Sequence, residues 1–164
     1  MRRAPESTEQ FFPGDFLGKD RLAELGYFPI HVSIFDHCLT EEECDACDFM
    51  FHRVAVEKGK LDEYMFGERQ FLALYRDLAK DGVYVEKDGI YWSAKADDPG
   101  FVRVQVESLR ERTHMDVYFI GPQIRVYGGH DRTDLFLLRN KDYLPELKKK
   151  VQSFGLHTLV SNNL

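Results

Sequence analysis

The chain has 164 residues, 43% hydrophobic and 30% charged, with 28 acidic against 22 basic side chains and a net charge of −6. That length and balance suit one domain with a real core. A net acidic surface repels phosphate backbones, so general nucleic-acid binding is set aside in favour of a protein partner with a basic surface, or a small ligand. No apolar run nears the roughly 18 residues that a membrane span needs, and the start, MRRAPESTEQFFPGDF, has no apolar h-region. Three cysteines make no disulfide framework. A cytoplasmic protein with no membrane contact is expected.

In chain order, residues 1–14 read as a polar lead-in arm, with Phe11 and Phe12 available to dock on the body. Residues 20–25 form a short helix stopped by Gly26, a residue suited to the left-handed C′ position. Tyr27 to Phe35 follows as a strand, with Ile30, Val32 and Ile34 on one alternation. Thr40 and Glu43 make a capping box, and Glu41, Glu42 and Glu43 suit the positive helix end. The helix should run from 41 to 58 and end at Gly59, with Cys44, Cys47, Phe51 and Val54 on its apolar face. A second helix is expected over 61–80, interrupted by Gly67 and stopped at Gly82.

After Gly82 the period changes from helical to alternating. Val83–Glu86 and Ile90–Lys95 flank Lys87-Asp88-Gly89, a hairpin turn. Phe101–Ser108 alternates well, with Val102, Val104 and Val106 on one side. His114–Ile120, Gln123–Tyr127 and Leu135–Arg139 are further strands. A last helix spans 143–154, with Pro145 in its first turn and Leu144, Leu147, Val151 and Phe154 in a stripe. A final strand is expected over 156–160. The whole is an α+β domain: an antiparallel meander of about five to six strands, packed by two to three helices.

Four groups of residues bear on chemistry. Cys38, Cys44, Cys47 and His52 have spacing that resembles the first part of a zinc knuckle, with Glu57 at the fourth position. The capping box and apolar stripe account for the same residues without a metal, and no metal or cofactor is assigned. His31 and Ser33 share one strand face, where an imidazole can move a proton and a hydroxyl can hold a phosphate oxygen. The run Ile30-His31-Val32-Ser33-Ile34 resembles the histidine motif of 2H phosphoesterases. That resemblance implies a second such motif, and the nearest is His114-Met115-Asp116-Val117, with Asp116 in place of Ser or Thr.

His114-x-Asp116 also resembles the start of the 2-His-1-carboxylate facial triad of non-haem iron oxygenases, which implies His130 or His157 as the distal ligand. The stretch SIFDHCLTEEECDAC is similar to the entry region of prolyl-hydroxylase-like dioxygenases. The fourth group is Gly128-Gly129-His130-Asp131-Arg132-Thr133-Asp134, a polar loop that suits a ligand or partner and equally suits a solvated hairpin turn. No enzyme motif is complete. The expected function is therefore a non-catalytic acidic binding module, a regulator or inhibitor acting by protein–protein contact. Catalysis by His31, Ser33, His114 and Asp116 is the alternative.

Overall fold

Apolar alternation in the strands builds one eight-stranded antiparallel sheet. A computed structural model describes residues 1–14 and 19–159. The elements are β1 (Arg2–Arg3), α1 (Lys19–Glu24), β2 (Phe28–Ser33), α2 (Glu41–Ala46), α3 (His52–Glu57), α4 (Leu61–Leu78), β3 (Val83–Lys87), β4 (Ile90–Ala94), α5 (Pro99–Leu109), β5 (Asp116–Phe119), β6 (Ile124–Tyr127), β7 (Thr133–Leu138), α6 (Leu144–Ser153) and β8 (His157–Leu159). The strand order is β1-β4-β3-β5-β6-β7-β2-β8. Among the described residues, no helix is long and apolar enough to cross a membrane.

The α+β class is as expected, but the strand count is eight. The arm contributes β1, and β2 lies between β7 and β8 rather than apart from the meander. Val160, the last residue of the expected final strand, lies outside the described residues. One face of the sheet carries Ile30, Val32, Val83, Val85, Val117, Phe119, Ile124, Val126, Phe136 and Leu138. It packs on Phe71, Leu74, Tyr75 and Leu78 of α4, Phe101 of α5, and Leu147 and Val151 of α6. The arm covers part of the other face. Phe11 stacks on Tyr118 at 4.6 Å and Tyr84 at 5.4 Å, and Phe12 stacks on Tyr91 at 5.2 Å. Burial on both sides explains why all four residues of β5 are buried.

Three local expectations are corrected. Residues 101–108 are helical, not a strand. Asp98 accepts a hydrogen bond from Gly100 N at 2.9 Å and Pro99 sits in the first turn, which starts a helix. Phe101, Gln105 and Ser108 are the buried residues, a helical spacing that the valine alternation concealed. The expected helix 41–58 is two helices, because Cys47 and Phe51 leave helical backbone. The capping box at its start forms as read: Thr40 N donates to Glu43 Oε2 at 2.9 Å and Glu43 N to Thr40 Oγ1 at 3.3 Å. Finally, α4 runs through Gly67 without interruption.

Gly67 has a packing reason. A Cβ there would lie 2.5 Å from Arg132 Nη2 and 3.0 Å from Ile34 Cγ2. Arg132 is not free to give way, since it is buried and stacked 4.0 Å over the Tyr64 ring. Overpacking of this kind costs about 1–3 kcal/mol, against the roughly 1 kcal/mol that alanine's helix propensity returns. Gly67→Ala is expected to lower the urea unfolding midpoint. An unchanged or higher midpoint would mean that Arg132 shifts at no cost.

Candidate functional site

β2 holds His31 and Ser33 on the sheet face opposite Ile30 and Val32. Pairing with β7 sets His31 opposite Leu135 and Ser33 opposite Thr133. Ser33 is fully buried and its hydroxyl is engaged: it donates to Arg132 O at 3.3 Å, and accepts from Phe35 N at 3.1 Å and Thr133 Oγ1 at 2.8 Å. It fastens the β6–β7 loop to β2. His31 is half-buried, and that desolvation lowers its pKa. It opens onto a cavity of about 370 Å³ that also receives Cys38, Cys44, His130, Asp131 and Thr133. The expected strand site and the expected loop thus meet in part, at His31, His130 and Asp131.

His114 and Asp116 stand elsewhere. The register runs His31–Leu135–Tyr127–Asp116 across β2, β7, β6 and β5. Three strand steps place β5 about 14 Å from β2, and His114, which precedes β5, does not line the His31 cavity but meets His130, which does. Asp116 is held by Arg125, whose Nε and Nη2 donate to its two carboxylate oxygens at 2.8 and 2.6 Å. The same guanidinium donates to Pro13 O at 2.8 Å, which ties down the arm. His114 stacks on Tyr127 at 5.9 Å and meets His130 edge-on at 5.3 Å. Among the described residues, no three His, Cys, Asp or Glu side chains are grouped as metal ligands require. The arrangements that the zinc-knuckle and iron-oxygenase resemblances imply are not assembled there.

The β6–β7 loop divides. His130 and Asp131 are exposed, while Arg132 and Asp134 turn inward. Arg132 donates to Tyr64 O at 2.9 Å and Phe49 O at 3.4 Å. Asp134 accepts from Tyr75 Oη and, at 2.8 Å, from Gly129 N. Gly129 permits this turn, because a Cβ would lie 2.0 Å from Thr133 O.

A second concavity has no counterpart in the sequence expectations. A groove of about 550 Å³ is lined by Ile34, Phe35, Phe49, Phe66 and Gly67, with Asp62, Glu63 and Arg69 as its charged residues. Phe35 and Phe49 stack at 6.3 Å, and Phe66 is 60% exposed. The signal that finds it is Phe66 itself, an aromatic lying off the stripe of buried residues that α4 presents to the core. The groove adjoins the most acidic part of the chain. Residues 36–63 hold nine acidic and three basic side chains, so this stretch alone accounts for the net charge of −6 and the rest of the chain balances to zero. All nine acids are exposed.

Asp134 yields a test of the loop's anchoring. Burial raises its carboxyl from 3.8 to about 6, outweighing the hydrogen bonds from Tyr75 and Gly129, which act the other way. In the unfolded chain the carboxyl ionises near its ordinary value. The folded form therefore binds more protons between those two values, and this contribution to stability is lost as pH rises through the window. Asp134→Asn removes the titration. Its urea stability relative to wild type is expected to rise from about pH 4 to about pH 7; a constant difference would contradict the assignment. No protein-family model, curated protein or solved structure matches this chain.

Proposed function

We propose that this protein is a non-catalytic binding module, an acidic cytoplasmic regulator or inhibitor that acts by protein–protein contact on a partner with a basic surface. One observation carries this reading: the stretch 36–63, whose nine acids are all exposed, accounts for the entire net charge and lies beside an apolar groove walled by Phe35, Phe49 and Phe66. The two features are complementary in function. An acidic face raises the encounter rate with a basic partner through long-range attraction. A concave apolar patch then supplies the desolvated anchor on which most interface energy depends. The occupant is a basic segment that presents an aromatic or long aliphatic side chain to the groove.

Catalysis by paired histidines has less support. His114 does not line the cavity onto which His31 opens, Ser33 is consumed by the loop, and Asp116 is paired with Arg125.

Affinity capture from cytosol, followed by binding kinetics with the captured partner, tests the proposal. Glu41→Lys, Glu42→Lys and Asp45→Lys together are expected to slow association about tenfold or more at low salt, with little change in dissociation. Phe66→Ala should instead speed dissociation about tenfold. All four positions are exposed, so the fold should persist. Salt-independent association, or a partner that binds both variants as wild type, would overturn it.

A further inference from the structure

Away from the acidic face, α4 and α5 enclose a smaller cavity of about 210 Å³. Arg69, Leu72, Ala73 and Arg76 line it from α4, at positions that helical geometry stacks on one face. Val102 and Gln105 line it from α5, one turn apart, and Ala96 closes one end. No acidic side chain lines it. Neither arginine has an ion-pair or hydrogen-bond partner among the described residues.

Gln105 provides a second, independent observation. It is 2% exposed, and its amide Nε2 is enclosed without a hydrogen-bond partner. Buried polar groups are normally satisfied, and an exception calls for an explanation, of which a bound group is one. Its neighbour along the same helix face illustrates the rule: buried Ser108 accepts from Met115 N at 3.2 Å. Nothing comparable accounts for Gln105, and an apolar residue would fill the same position at lower cost.

We propose that this cavity is a binding site for a small oxyanion, a phosphate or carboxylate group carried on a short hydrocarbon frame. The two guanidinium groups match such an anion, since their planar forks donate in pairs to phosphate or carboxylate oxygens. Gln105 borders the cavity with its Nε2 turned away from it, and a rotation of the amide would bring that donor to the anion, while Leu72, Ala73, Ala96 and Val102 receive the hydrocarbon part. The site shares Arg69 with the groove at Phe66, whereas Arg76 and Gln105 line this cavity and not the groove.

The test is a titration of ¹⁵N-labelled protein with sodium phosphate and, separately, sodium succinate, each against sodium chloride at matched ionic strength. The Gln105 side-chain amide resonances are the readout. They are expected to shift saturably with at least one of the two anions, and the tighter one assigns the class. Arg69→Ala with Arg76→Ala should weaken that binding about tenfold or more. Both residues are exposed, so the fold is retained. Gln105→Leu, followed on the Val102 and Ala96 backbone amides, should weaken it severalfold. Shifts equal to those in chloride, or saturation unchanged in the double-arginine variant, would overturn the proposal.

Discussion

The placement of one buried cation, Arg132, constrains much of the molecule. Among the described residues, its guanidinium has no carboxylate within hydrogen-bonding range, and burial lowers its pKa. It is accommodated by the Tyr64 ring and by the carbonyls of Tyr64 and Phe49. Each accommodation has a structural consequence. Gly67 must lack a side chain for the guanidinium to pass. The irregular backbone between α2 and α3 turns the Phe49 carbonyl toward it. The loop that carries Arg132 is in turn pinned to β2 by Ser33 and to α4 by Asp134 and Tyr75. The groove between Ile34, Phe49 and Gly67 lies beside this arrangement, so the surface assigned to binding rests on a buried polar network in which Arg132 Nε has no hydrogen-bond partner among the described residues.

The opposite face of the sheet solves a related problem. Strands β5 and β6 are covered by helices on one side and by the arm on the other, so polar residues pointing at the arm must be paired. Arg125 donates twice to Asp116, and its Nη1 captures the arm at Pro13. Replacing both by apolar residues need not weaken the fold, whereas removing one alone would strand a buried charge. Such a pair specifies where the arm lies more than how tightly it is held. Charge elsewhere is handled differently. The acids of residues 36–63 remain on the surface, where repulsion among them is screened and the field is available to a partner.

Local signals were legible wherever a short-range rule had no competitor. The Thr40–Glu43 capping box, the Asp88-Gly89 turn with both residues at positive φ, and the stripe of α6 all follow from neighbours in sequence. The 101–108 stretch failed because its valines alternate while its buried residues, Phe101, Gln105 and Ser108, recur at helical spacing. Asp98-Pro99 was the deciding signal, and it acts through backbone donors rather than side-chain pattern. At the site, the shared face of His31 and Ser33 was readable from strand periodicity. That the Ser33 hydroxyl is spent on Arg132 and Thr133 was not, because those partners lie about a hundred residues away in the chain.

The sequence by itself determined the α+β class, the positions of most strands, and the concentration of negative charge between residues 36 and 63. These depend on composition and on periodicities of a few residues. Only the tertiary structure decided that His31 shares a cavity with His130 and not with His114, that Arg132 and Asp134 turn inward while His130 and Asp131 face out, and that Gln105 is enclosed beside Arg69 and Arg76. Strand order and helix packing set those relations, and both arise from contacts between segments distant in sequence, which no local pattern encodes.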